Sequence, residues 1–259
     1  VGDLMQLSTS TSCESPDART GRIEYVGERA IVVADTANPR GLTKSDYARF
    51  GALYDTLLYP VVTAHFGEPA TMNGERRVVI FYTRAVNELT SAGSEGVVGG
   101  YFWAGDLFPS SECAGSNQRE MFYMLAADPE GEVNGNERSV EYVERATAGT
   151  IAHELQHLIN ASRRIYVNNA SELESVWLNE GLSHVAEELV FYAAAGLSPR
   201  QNIGTGAIVG DVARAFNRYN VDNVERLIRY LREPEQHSVM GSVQELATRG
   251  AAWAFLRYV

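Results

Sequence analysis

The chain has 259 residues, of which 45% are hydrophobic and 10% aromatic, enough apolar material for one large or two smaller folded cores and not a disordered composition. Its 33 acidic and 22 basic residues leave a formal net charge of -11, a surface that repels nucleic acid and anionic membrane. No apolar run reaches the ~18–20 residues needed to span a bilayer, so neither nucleic acid nor membrane insertion is expected.

The first 35 residues alternate as strands do, and "GRIEYVGERAIVVAD" predicts a hairpin around Gly27 and Glu28. The opening residues show no basic or apolar leader pattern. Tyr47, Phe50, Leu53, Tyr54 and Leu57 keep the helical rhythm in "TKSDYARFGALYDTLLYPVVTAHFG", with Pro60 expected to kink or end the helix. "RRVVIFYTRA" is dense enough for a buried strand. The glycines of "GVVGGYFWAGDLF" suit a bent or edge strand, and "EMFYMLAADP" reads as a further strand. The loop "DPEGEVNGN" spaces Asp128, Glu130, Glu132 and Asn134 alternately but lacks the EF-hand register, so a solvated turn is expected rather than a calcium loop.

After Glu141 helices dominate, at about 141–164, 172–195, 208–218, 222–233 and 243–259. The last pattern runs to Val259 without a stop signal, as in a piece of a longer chain. Strands first and helices second indicate an α+β fold. It divides into a mainly β part, 1–140, and a mainly helical part, 141–259. Cys13 and Cys113 are the only cysteines, and neither has metal-site spacing. They either form a disulfide, stabilising by roughly 4–5 kcal/mol in the chain-entropy model, or remain two buried thiols.

The chemistry concentrates in "TIAHELQHLINAS", Thr150 to Ser162. Residues four apart on a helix lie about 40° apart around the axis, so His153 and His157 can point at one ion. Glu154 beside them reaches a water on that ion without binding the ion, as a general base and acid must. An amphipathic helix that merely carries two histidines has the same spacing. A catalytic zinc needs a third ligand, and Glu180 follows His157 by 23 residues, room for a helix that turns back. Ser171 and Glu174 resemble a capping box opening that helix. His184 competes as third ligand. His184 and Glu187 also share the Glu180 face, where they can orient the ligands.

"HELQHLINAS" followed by "WLNEGLSHVAEEL" resembles the gluzincin metallopeptidases, and most of all the hyicolysin-like family of bacterial extracellular peptidases. "AHFGEP", "VVIFYTRAVNELT" and "GYFWAGDLF" extend the resemblance over most of the chain. It implies a zincin-like fold, an N-terminal mixed sheet over the active-site helix, and secretion. It implies zinc held by His153, His157 and Glu180, with Glu154 as general base. The expected activity is endopeptidase cleavage of an extended polypeptide paired to the edge strand. The rival is a non-catalytic zinc-binding module with the same fold. His184 stands where thermolysin-like enzymes brace a ligand with aspartate, which leaves Glu187 for that role. The Gly-x-Met-Glu-Asn segment of aminopeptidases is absent. For the oxyanion, Tyr166, Tyr219, Tyr230 and His237 are candidates by chain order alone.

Overall fold

The structure is a computed structural model that describes residues 1–72, 74–94, 96–242 and 245–259. Its strands are β1 (Leu4–Ser8), β2 (Ala18–Val26), β3 (Ala30–Asp35), β4 (Val78–Thr83), β5 (Gly100–Tyr101) and β6 (Met121–Leu125). Its α-helices are α1 (Lys44–Leu53), α2 (Tyr59–Phe66), α3 (Arg84–Glu88), α4 (Val140–Tyr166), α5 (Val176–Ala194), α6 (Gly210–Tyr219), α7 (Val221–Arg232) and α8 (Leu246–Tyr258).

The strands form one mixed sheet in the order β1-β2-β3-β4-β6-β5. The central trio β3, β4 and β6 is parallel, and the flanking pairs are antiparallel. Every residue of β4 and β6 is buried, which is why both read as unbroken apolar runs. Successive side chains point to opposite faces. Val32, Ile80, Tyr82, Phe122 and Met124 meet Ile151, Leu155 and Leu158 of α4 in the main core. Val33, Val79, Phe81, Met121 and Tyr123 build a second apolar layer with Leu7 and Val86. This is the expected α+β, zincin-like arrangement: a sheet laid over a long helix, followed by a mostly helical part. Among the described residues no helix is long and apolar enough to cross a membrane.

The hairpin expected around Gly27 is present, closed by the Gly27 N–H donating to the Ala30 carbonyl at 2.8 Å. Other elements depart from expectation for identifiable reasons. A π-helical turn, Tyr54–Leu58, precedes Pro60, and the helical run continues to Phe66. Proline clashes with the carbonyl four residues back, and the wider turn makes room for its ring. The edge strand shrinks to Gly100 and Tyr101. A β-carbon on Gly100 would lie 2.7 Å from the Tyr123 carbonyl oxygen and 2.8 Å from Thr150 Cγ2, so this strand passes tightly between β6 and α4.

Ser171 and Glu174 do not cap α5, which opens at Val176 with Ser175 as its N-cap. Glu174 instead binds Arg164 at 2.9 Å and accepts from the Ser175 N–H at 2.8 Å. Of the C-terminal helix expected over 243–259, the first two positions lie outside the described residues. The 128–136 loop folds on a buried carboxyl side chain. Asp128 is fully buried, and its two oxygens accept from the Glu132 and Val133 N–H groups at 2.9 and 2.8 Å. Cys13 and Cys113 are disulfide-bonded across a separation of 100 residues, tying the chain after β1 to the segment before β6.

Candidate metal centre

Helix α4 is capped by Ser139, whose side chain accepts from the Tyr142 N–H, with Glu141 in the first turn and Arg163 and Arg164 in the last. These charges suit the helix dipole. Its apolar stripe is locked in the core, so residues one step around the helix are placed as firmly. His153 and His157 sit there with ring centroids 4.7 Å apart. Helix α5 packs on α4 and brings Glu180, Ser183, His184 and Glu187 to them.

Both histidines turn the same nitrogen toward Glu180. His153 Nε2 is 3.4 Å from Glu180 Oε2, and His157 Nε2 is 3.6 Å from Oε1. Their other nitrogens are anchored. A carboxylate can only accept, so His153 Nδ1–H donates to Glu187 Oε1 at 2.7 Å. Ser183 donates its hydroxyl to Gln156 Oε1 at 2.6 Å, so its oxygen accepts from His157 Nδ1–H at 3.0 Å. The Nδ1–H of each ring is thereby fixed, and each Nε2 faces Glu180.

The set fits a metal ion. Bonds of about 2.0–2.1 Å to a tetrahedral ion place ligand atoms about 3.3–3.4 Å apart. The distances here are 3.4 and 3.6 Å. Glu180 Oε2 is buried and lies 3.4 Å from His153 Nε2 and 2.9 Å from Arg249 Nη1. The three side chains retain 9–14% exposure. His184 does not join them. It lies in a second, fully buried group with His153 and Glu187, and donates from Nδ1 to Glu187 Oε1 at 3.0 Å.

The electrostatics show the same demand for positive charge. Burial alone would depress His153, but the Glu180 and Glu187 carboxylates outweigh it and push it up to about 10. A proton there takes the place of the cation. Burial and the neighbouring His153 charge push His157 down to about 3. Burial works to raise Glu180 and Glu187, yet the histidines hold both well below the usual carboxylate range. Glu154, 4% exposed, is pushed up to about 7 by burial.

Two residues at the site escaped sequence reasoning. Arg226 of α7 places Nη1 3.6 Å from Glu187 Oε2, and Arg249 of α8 places Nη1 2.9 Å from Glu180 Oε2. The one signal for Arg249 was an arginine among the small residues Ala247, Gly250, Ala251 and Ala252.

No protein-family model matches the chain. The chain is similar to the neutral metalloprotease ShpI of Staphylococcus hyicus, with 27% identity over 191 residues. The match takes in 73% of this chain and spans 40% of that relative's length. The converging histidines and glutamate are a group that could hold a metal ion, and the relative is a metalloprotease.

Proposed function

We propose that the chain is the catalytic part of a secreted, zinc-dependent endopeptidase. The observation that carries the reading is the convergence of His153, His157 and Glu180, whose ligand atoms lie within 4.8 Å of one another, with the buried Glu154 next to His153 in the chain. Two imidazoles and a carboxylate are the ligand set of zinc hydrolases of the thermolysin type. A zinc ion in such a set polarises a carbonyl and makes water a nucleophile at neutral pH.

His153, His157 and Glu180 are the ligands in this reading, and Glu187 and Ser183 keep the two imidazoles turned toward the ion. Glu154 takes the proton of the attacking water. As the C–O bond forms and the C–N bond breaks, Glu154 returns that proton to the departing amine nitrogen. Burial raises this carboxyl and so favours its taking up the proton.

Residues 1–140 supply the substrate edge and residues 141–259 the metal centre. Strand β5 at the sheet edge lies against Thr150, one turn before Glu154, where an extended polypeptide can add as a further strand. The Cys13–Cys113 disulfide supports an oxidising compartment outside the cytosol.

The test is cleavage of casein by the wild type and Glu154→Gln, with zinc measured in both by elemental mass spectrometry. Zinc in both and cleavage by the wild type alone is the expected result. Zinc in both without cleavage would favour the non-catalytic module, and zinc in neither would sink the metal reading.

A further inference from the structure

One role in amide hydrolysis has no residue yet: a donor for the charge that grows on the carbonyl oxygen under attack. The residues that chain order suggested are engaged elsewhere. Tyr166 donates its hydroxyl to the Leu107 carbonyl, and His237 Nδ1 pairs with Glu245 at 2.8 Å. Tyr219 is packed in the main core. Among the described residues, Tyr230 makes no hydrogen bond or ring contact with the histidine cluster.

A cation already stands at the centre. Arg249 reaches from the first turn of α8 to within 2.9 Å of Glu180, and its charge is felt by Glu154. Its side chain is 25% exposed where Glu180 is 14% and His157 9%, so the arginine is the most solvent-accessible of the three. Close backbone packing fixes its position. A β-carbon on Gly181, next to Glu180, would fall 2.5 Å from Leu256 Cδ1 and 3.2 Å from Ala252 Cβ. One on Gly250, next to Arg249, would fall 2.3 Å from the Arg226 carbonyl carbon. Helices α5, α7 and α8 therefore touch at the residues beside Glu180 and Arg249, and a donor held by rigid elements needs no reorganisation when charge develops.

We propose that Arg249 is a catalytic residue whose guanidinium donates to the scissile carbonyl oxygen as that oxygen turns negative. The inference rests on the peptidase reading. A guanidinium carries five N–H donors in a fixed fork and keeps its charge at any working pH, so it holds Glu180 and serves an oxyanion together.

The experiment compares wild type, Arg249→Met and Arg249→Lys, each assayed for zinc. Turnover is followed on a peptide taken from the wild type's own casein digest. In a Glu154→Gln background, calorimetry measures binding of two peptides: one with a phosphonate at the scissile position, which imitates the oxyanion, and the same sequence with an ordinary amide. For Arg249→Met the expected result is full zinc content, kcat lower by about 10²–10³-fold and KM within about threefold. Phosphonate affinity falls by a similar factor, amide affinity holds, and Arg249→Lys recovers part of the loss. Loss of zinc, unchanged phosphonate affinity or kcat within about threefold of wild type would each overturn the assignment. A wild type that cleaves no peptide brings down the peptidase reading and this inference with it. An active wild type with an equally active Arg249→Met brings down the inference alone.

Discussion

Replacing Glu187 with glutamine tests how the centre is held. Glu187 is 7% exposed, accepts from His153 at 2.7 Å and His184 at 3.0 Å, and faces Arg226 at 3.6 Å. Glutamine keeps the shape and one acceptor oxygen but removes the charge that favours the His153 Nδ1–H tautomer. Partners of this kind change metal affinity by about 10–100-fold, or about 1.4–2.7 kcal/mol. A chromophoric chelator competing for zinc at neutral pH reads this directly. Removing one side of a buried ion pair costs about 3–5 kcal/mol of folding stability, which urea unfolding of the metal-free protein reads separately. The expected outcome is a loss in both. Zinc affinity within twofold of wild type, in a variant that still unfolds cooperatively, would show that Glu187 does not orient His153.

Three further outcomes follow from structure outside the centre. Cys13→Ser opens the loop closed across 100 residues and should lower stability by about 4–5 kcal/mol; a loss below 1 kcal/mol in urea would refute the loop-closure account. Burial pushes Asp106 from 3.8 up to about 6 against its hydrogen bonds from Tyr123 and Asn117. Its folded form holds the proton more tightly, so its contribution is full below pH 3.8 and is lost as pH rises through 6, about 3 kcal/mol in all. Asp106→Asn should flatten that part of the stability–pH curve, and an unchanged curve would count against it. Trp253→Phe removes the indole N–H that donates to buried Glu188 at 3.0 Å; thermal melting should show a loss of about 1–3 kcal/mol, and none would mean that Arg257 alone satisfies that carboxylate.

The sequence by itself determined what depends on local spacing. A four-residue interval puts His153 and His157 on one helix face whatever surrounds them. Alternation around Gly27 specifies a hairpin, and the dense runs of β4 and β6 specify buried strands. Glu180 was legible because only the last turns of α4, one short connection and the first turn of α5 separate it from the histidines.

Tertiary structure decided everything that several long-range contacts settle together. Whether Glu174 caps its own helix or binds Arg164 depends on where α4 ends, and the arginine won. Whether the two cysteines meet depends on the packing of β1 against the segment before β6. Arg226 and Arg249 enter the centre because α7 and α8 approach at Gly250, and α5 and α8 at Gly181. Helical periodicity assigns a residue to a face, but the charge that face meets is set by how close two helix axes come. Here that distance is set by the absence of two β-carbons.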